Sequence, residues 1–83
     1  MVFKIYSIFD SKVESYLQPF FFRNAGEAQR AVANLVNDAN HGFSKHAEDY
    51  TLFEIGQWDD EKARIIMHDA KFAVCTLLEL KKG

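Results

Sequence analysis

The sequence is poor in the residues that make disulfides, turns and membrane spans. It has one cysteine, one proline and four glycines. The single Cys75 excludes an internal disulfide and suits a reducing cytosol. No run of residues is long and apolar enough for a signal peptide or a membrane span. We therefore expect a soluble intracellular protein with no membrane partner.

An excess of positive charge is also missing. The formal net charge is −2. Residues 1–47 carry five basic and four acidic side chains, or +1, whereas residues 48–83 carry five and eight, or −3. Domains that hold nucleic acid mainly by charge have a basic excess. Any nucleic-acid binding here would therefore need a local basic patch or stacking of bases on aromatic rings.

Hydrophobic side chains are abundant in the chain. They make up 48% of it, and aromatic residues make up 14%, including eight Phe. This composition predicts one globular domain over residues 1–83 and argues against disorder. Because so short a chain can bury only a small core, its stability margin is thin, and we expect a homo-oligomer.

The segment at residues 19–36 predicts an amphipathic helix. Asn24 is a good N-cap, and Glu27 stands three residues later in the capping-box position. The apolar residues that follow at helical spacing are Ala28, Ala31, Val32, Leu35 and Val36. Since the opposite face is polar, we expect the apolar stripe of this helix to pack on a sheet.

Two strands are predicted before the helix. Side chains alternate over residues 2–9, which is typical of a half-buried strand. The set expected on its buried face is Phe3, Ile5 and Phe9. Lys4 and Tyr6 then share the outer face. Residues 16–22 favour a partner strand, but Pro19 cannot donate to a ladder, so the ordered part is either residues 20–23 or an edge strand.

The pattern after the helix predicts a loop and a second hairpin. Residues 41–49 form the longest irregular stretch, from which Phe43 returns to the core. Residues 50–58 predict a central strand with a bulge or a close backbone approach at Gly56. An acidic turn leads to a return strand at residues 63–68.

Residues 70–80 fit either a helix capped by Asp69 or a strand, and we favour a short helix. The predicted fold class is therefore α+β. An antiparallel sheet in ββαββ order carries one amphipathic helix and a short C-terminal helix or strand.

No group of residues predicts catalysis or metal binding. The three histidines and Cys75 match no zinc template, and Cys75 lies in an apolar run where a thiol is commonly a small buried hydrophobe. The acidic pairs at residues 48–49 and 59–60 lie in loop or turn contexts typical of solvated charge. We therefore expect a protein that is not an enzyme, with no catalytic residues, no metal and no cofactor.

The aromatic residues indicate a different kind of site. Tyr6 beside Lys4, and the run Phe20-Phe-Phe-Arg23, would place rings beside cations. Exposed rings beside cations are how the sheets of single-strand binders stack bases. For most of the Phe residues core packing is the simpler interpretation. For Tyr6, Tyr16, Phe21 and Trp58, core packing and an interaction surface stay open alternatives.

A set of short motifs runs in order through most of the chain. It comprises Lys4-Ile-Tyr-Ser-Ile-Phe-Asp10-Ser-Lys, Tyr16, Pro19-Phe-Phe, Gly26-Glu-Ala-x-Arg30, Val36-Asn-Asp, Phe43-x-Lys-His-x-x-Asp-Tyr-x-Leu-Phe53 and Gly56 with its acidic turn. Over residues 4–60 this pattern resembles the small nonstructural protein of gokushoviruses, which are single-stranded DNA phages of the microvirus group. The tail after Met67 matches only loosely.

The resemblance implies a phage protein that is absent from the mature capsid, binds DNA, and acts when replication switches to single-stranded genome synthesis and packaging. It implies no catalytic residues. The matched positions able to contact DNA are Lys4, Lys12, Arg30, Lys45 and His46, with Tyr6, Tyr16 and Phe21 for stacking. Arg23 lies outside the matched positions and is added for its charge alone. Arg30 is also explained as an exposed helix residue near Glu27.

Two functional hypotheses follow. The first is a non-enzymatic protein that binds single-stranded DNA in the host cytoplasm, during the switch from genome replication to packaging. The alternative is a protein-interaction module that engages a phage or host replication protein, or the procapsid. In this alternative, the acidic second half of the chain, with Asp59-Asp-Glu61, would supply the contact surface.

Overall fold

A helix lies across one face of a five-stranded antiparallel sheet. The computed structural model describes residues 1–82. Its elements are β1 Val2–Asp10, β2 Ser15–Tyr16, β3 Phe20–Phe22, α1 Ala25–Val36, α2 Gly42–Lys45, a 3₁₀ helix Ala47–Asp49, β4 Tyr50–Asp59, β5 Arg64–Thr76 and α3 Leu77–Leu80. The sheet order is β2-β1-β4-β5, and β3 also pairs with β1. The predicted α+β class is confirmed.

Pro19 divides the strand predicted over residues 16–22. β2 pairs with the end of β1, where Tyr16 lies opposite Phe9, and β3 pairs further back, where Phe21 lies opposite Ile5. The ladder is interrupted between them because proline has no N–H to donate. The Ser7 hydroxyl donates to the Leu17 carbonyl at 2.7 Å across this gap. The alternative in which the ordered strand begins after Pro19 is confirmed for β3.

The predicted cap of α1 is confirmed. The Asn24 side chain accepts a hydrogen bond from the Glu27 N–H at 2.9 Å, and the Glu27 carboxylate accepts one from the Arg23 N–H at 3.1 Å. These contacts satisfy backbone N–H groups at the start of α1 that have no partners within the helix. Ala28, Val32 and Val36 on the apolar stripe are buried against the sheet.

The face assignment of β1 was wrong. Tyr6 faces α1 and is fully buried, whereas Phe3 and Phe9 lie on the opposite face and are only half-buried. Ile5, between those two rings, is nevertheless buried at 3% exposure. Both faces of β1 are therefore apolar, and alternation alone cannot tell which of them a helix covers.

The loop predicted at residues 41–49 contains α2 and the 3₁₀ helix instead. His41 caps α2, since its Nδ1 accepts from the Phe43 N–H at 3.0 Å. The centroid of the Phe43 ring lies 4.6 Å from that of His41 and 4.8 Å from that of Tyr50. The prediction that Phe43 returns to the core is confirmed, because it lies partly buried against the core cluster.

The C-terminal segment combines both alternatives. Residues up to Thr76 continue β5, and only Leu77–Leu80 form a helix. The cap is Thr76, whose hydroxyl accepts from the Glu79 N–H at 3.3 Å, so the predicted cap at Asp69 was wrong. Leu77 is fully buried in the core under α1.

The ladders of the described sheet contain three register shifts, and two of them lie around Ile55. Ile5 lies opposite Gly56 and Tyr6 opposite Glu54, so β4 carries one residue more than β1 at that point. Glu54 lies opposite Phe72 and Gly56 opposite Met67, so β5 carries three more than β4. Bulges of this kind bend a strand and re-aim its side chains. Among the described residues, no helix has the length and hydropathy required to traverse a lipid bilayer.

Candidate functional site

The sheet face opposite α1 carries a group of aromatic side chains and no helix from residues 1–82. Residues directly opposite one another on paired strands point to the same face, as do alternate residues of one strand. Both rules place six rings on this face. We call them the ring face: Phe3, Phe9, Tyr16, Phe21, Phe53 and Trp58.

The bulge at Gly56 brings two of the three rings of β4 to this face. Phe53 and Trp58 are five positions apart and would point to opposite faces of a regular strand. The extra residue in β4 reverses the alternation, so Phe53 lies opposite Ser7 and Trp58 lies opposite Phe3. At the same point β5 approaches the backbone closely, since a Cβ at Gly56 would lie 2.6 Å from the Ile66 carbonyl oxygen. The predicted close approach at Gly56 is confirmed.

Three rings form a cluster at one end of the ring face. The centroids of Phe9 and Tyr16 are 4.8 Å apart, those of Tyr16 and Phe53 are 5.7 Å apart, and those of Phe9 and Phe53 are 6.4 Å apart. These tilted and edge-on arrangements are the favourable geometries for aromatic pairs. Tyr16 keeps 42% of its surface exposed, so this cluster presents a phenol ring to solvent.

A second cluster lies at the other end. The Phe21 and Trp58 centroids are 6.4 Å apart in an edge-on arrangement, and Phe21 is 45% exposed. Together with Phe3 and Ile65 these rings line an open hollow of about 420 Å³. A flat group such as a nucleobase could lie against these rings, because base stacking needs an exposed π-face and no particular hydrogen-bond partner.

One cation lies on the ring face. The Lys71 Nζ is 5.5 Å from the centroid of the Tyr16 ring, within the range of a cation–π contact. Lys71 has no carboxylate partner among the described residues. Its ammonium is therefore available to an anionic group that approaches Tyr16.

The six cations named from the sequence are spread over several elements. Lys4 is half-buried in β1 and lies opposite Phe22, on the side that faces α1. The other five are exposed: Lys12 in the β1–β2 turn, Arg23 at the entry to α1, Arg30 within α1, and Lys45 and His46 at the end of α2. Only Lys12 lies in a turn that connects two ring-bearing strands. The structure therefore does not gather these cations around the ring face.

The rings named from the sequence divide in a similar way. Tyr16 and Phe21 are on the ring face, but Tyr6 is fully buried under α1, so the expectation that it faces outward beside Lys4 was wrong. Sequence reasoning assigned Phe3 and Phe9 to the core and missed Phe53 and Lys71. Cross-strand register was the missing signal, since it depends on bulges that the sequence marks only at Gly56.

One buried ionisable group, Tyr6, lies on the covered side, beside the partly buried Glu54 and His68. The Tyr6 hydroxyl is buried without a hydrogen-bond partner among the described residues. Burial, with a smaller effect from the carboxylates of Glu54 and Glu27, raises the pKa of Tyr6 to about 12. Glu54 contacts His68 Nε2 at 2.7 Å through Oε2, which joins β4 to the bulged part of β5. The Glu54–His68 contact links the two strands, and burial leaves Tyr6 inaccessible to a ligand.

The remaining candidate groups offer little chemistry. Burial raises the pKa of the Cys75 thiol, which disfavours the nucleophilic thiolate. Ligand atoms of His46, Glu48 and Asp49 lie within 4.8 Å of one another, but the first two side chains are exposed, and exposed acidic groups of this kind are common without a metal. An apolar groove of about 530 Å³ lies between α1 and β3, and Gln18 is its only polar lining residue. Nothing lining it would attract a phosphate.

Comparison with known proteins gives one match. The sequence profile of a family described as Phage ORF5 protein matches residues 3–80. Neither the curated proteins nor the solved structures contain a significant match to this chain.

Proposed function

The chain belongs to the Phage ORF5 protein family, and from this premise we propose that it binds single-stranded DNA through the ring face. The protein acts without catalysis, in the host cytoplasm, when the phage passes from genome replication to packaging. The observation that supports the proposal is the uncovered sheet face with two ring clusters and the Lys71 ammonium beside Tyr16.

Stacking supplies most of the affinity in this proposal. Bases of a single strand can stack on partly exposed rings whatever their sequence, and each contributes about 1–3 kcal/mol. Tyr16 and Phe21 are the most exposed of the ring-face aromatics and lie one in each cluster. Both rings belong to strands that pair with the same edge of β1, so a DNA strand that contacts both runs alongside β1.

Charge supplies a smaller part. Lys71 lies at the Tyr16 cluster, and Lys12 lies in the adjoining turn, so two cations are placed to contact phosphates. Two phosphate contacts on a single strand predict a slope of about −1.4 for log affinity against log salt. This slope is shallow, as the net charge of −2 also suggests. Binding should therefore persist at moderate salt.

The test is the affinity of the chain for a labelled oligothymidylate, measured by fluorescence anisotropy. We expect Tyr16→Ala and Phe21→Ala each to weaken binding by about tenfold, since each removes one stacking platform. Leu78→Ala is the control, because Leu78 is exposed to a similar degree, at 53%, but belongs to α3 on the covered side. Binding that is absent at low salt, or unchanged in both ring variants, contradicts the proposal.

The protein-interaction alternative depends on the acidic turn after β4. There Asp60 Oδ1 and Glu61 Oε1 lie 2.7 and 3.6 Å from the amino group of Met1. Part of the acidic charge is thus already engaged within the chain, which ranks this alternative second. Pull-down from infected-cell extract after nuclease treatment separates the two. A phage or host replication protein, or procapsid, retained without nucleic acid favours the alternative.

A further inference from the structure

The outer edge of β5 has no strand partner among residues 1–82. We propose that this edge pairs with β5 of a second copy of the chain, antiparallel and about a two-fold axis at Ala70. The two sheets then join into one. This interface takes Ile65 and Lys71 from the margin of the ring face, but it requires no DNA and can be tested in its absence.

The edge is long and only partly protected: a bulge with Asp69 and Lys71 lies at its middle, whereas Ile65, Ile66 and Met67 carry no charge. β5 spans thirteen residues, more than any other strand of the described chain, and contains neither proline nor glycine. An unpaired edge presents a row of free N–H and C=O groups, and native proteins usually shorten it, place proline in it or cover it. No described element lies beyond β5 in the sheet.

The first part of β5 is apolar and exposed on both faces. Ile65 lies opposite Trp58 on the ring face, and Ile66 lies opposite Gln57 on the other side. Their exposures are 55% and 46%, and that of Met67 is 59%. A strand added beyond the edge would cover these side chains on both faces at once, whereas a ligand on one face would cover only half of them.

The bulge leaves the middle of β5 without a full set of partners on β4. Between Met67 and Phe72 the strand has four residues, and they lie opposite Ile55 alone. Some backbone groups there have no neighbour in the ladder. A second strand on the outer edge would pair with the N–H and C=O groups that point away from β4, which are free along the described part of β5.

The charges around the middle of β5 fit a second copy of the same strand. Ala70 is the midpoint of Arg64–Thr76 and carries a small side chain. A two-fold axis at Ala70 places Asp69 of one copy opposite Lys71 of the other, twice. Opposite charges directly across a ladder are favourable and like charges are not. Lys71 can turn from Tyr16 to this position because its stem is flexible and exposed.

The two-fold axis stands perpendicular to the sheet. It places both α1 helices on one side and joins the two ring faces on the other. The dimer therefore offers a ring-lined surface twice as wide as that of one chain, and it leaves that surface open. This arrangement also stabilises a domain whose own core is small.

The test is the mass of the full chain in solution, measured by sedimentation equilibrium over concentrations of about 1 μM to 1 mM without DNA. We expect a monomer–dimer equilibrium that ends at twice the chain mass of 9.6 kDa. A chain that stays monomeric over this range overturns the proposal. Since no DNA is present, the result is independent of the ring-face proposal.

Charge reversal tests the register. Asp69→Lys and Lys71→Asp each create two like-charged pairs across the axis and should weaken dimerisation by about tenfold. The double variant restores both pairs in exchanged positions and should dimerise like the wild type. Circular dichroism checks that each variant is folded. If a charge reversal unfolds the chain, the neutral variant at the same position, Asp69→Asn or Lys71→Gln, is used in its place. Unchanged dimerisation in both single variants, or no recovery in the double variant, overturns the proposed interface.

Discussion

At the scale of single residues, Gly56 lies at the bulge that decides which rings share a face. It is buried where β4 gains a residue over β1, and the Ile66 carbonyl approaches it closely. Any side chain at this position would push β5 away from β4. The bulge aligns Phe53 with Trp58, so a change at Gly56 affects both the stability of the sheet and the arrangement of the ring face.

Replacing Gly56 with alanine should destabilise the fold. The new Cβ would lie 2.6 Å from a backbone oxygen, which cannot rotate away as a side chain could. We expect a loss of about 1–3 kcal/mol in the free energy of unfolding, measured with urea. Gly42→Ala is the control, since nothing lies within 4 Å of its added Cβ and it begins α2. Equal stability of the two variants would contradict this role for Gly56.

Tyr6 buries a hydroxyl that has no partner among the described residues. Its folded-state pKa is raised from 10.0 to about 12, so the stability that it contributes is present below pH 10 and is lost as pH rises to 12. Tyr6→Phe removes this titration. At neutral pH we expect the free energy of unfolding of the variant to equal that of the wild type or to exceed it by about 1 kcal/mol. Between pH 10 and 12 its advantage should grow by roughly 2–3 kcal/mol.

Urea unfolding of both proteins at neutral and at alkaline pH measures this difference. The comparison cancels the titration of groups that the two proteins share. A constant difference across the whole pH range would show that the Tyr6 phenol ionises in the folded protein as it does in water.

The residue scale also shows where sequence reasoning succeeded. Asn24 and Gly56 were assigned correctly because a cap and a close approach require particular residue types. Tyr6 was assigned to the wrong face because a tyrosine satisfies the pattern of either face equally well. Lys71 was missed because its place beside Tyr16 depends on the bulge in β5.

At the scale of elements, α1 depends on its N-terminal cap. The cap contacts link the strand end at Arg23 to the first turn of the helix. Asn24→Ala removes the acceptor and should lower the free energy of unfolding by about 1 kcal/mol. Asn34→Ala is the matched control because Asn34 is exposed within the same helix. Thermal unfolding of the two variants checks the prediction, which fails if both variants lose the same stability.

The strands were harder to predict than the helix. Periodicity located α1 because its stripe fits a helix and no strand. Residues 70–80 fit both periods, and the structure divides them between β5 and α3 at Thr76. Tertiary packing decides this boundary, since Leu77 enters the core under α1 while the preceding strand continues its ladder with β4. The local sequence alone does not specify that packing.

At the scale of the whole molecule, one apolar sheet has two apolar faces and only one layer of helices. Within residues 1–82, the chain folds α1 and α3 onto one face of the sheet and leaves the ring face without a helix. Composition predicted a globular domain rich in aromatic residues. It could not predict the open face, because the helix could have covered either side. The ring face therefore emerged from the topology, and the family match places it in a phage protein.

The emission of Trp58 is the most direct measurement of whether DNA binds at the ring face. This is the only tryptophan of the chain, and its ring lies 6.4 Å from that of Phe21. We predict that oligothymidylate quenches the emission in a saturable way, with the midpoint shifted to higher concentration in Phe21→Ala. DNA binding detected by anisotropy while the Trp58 emission stays constant would contradict the account.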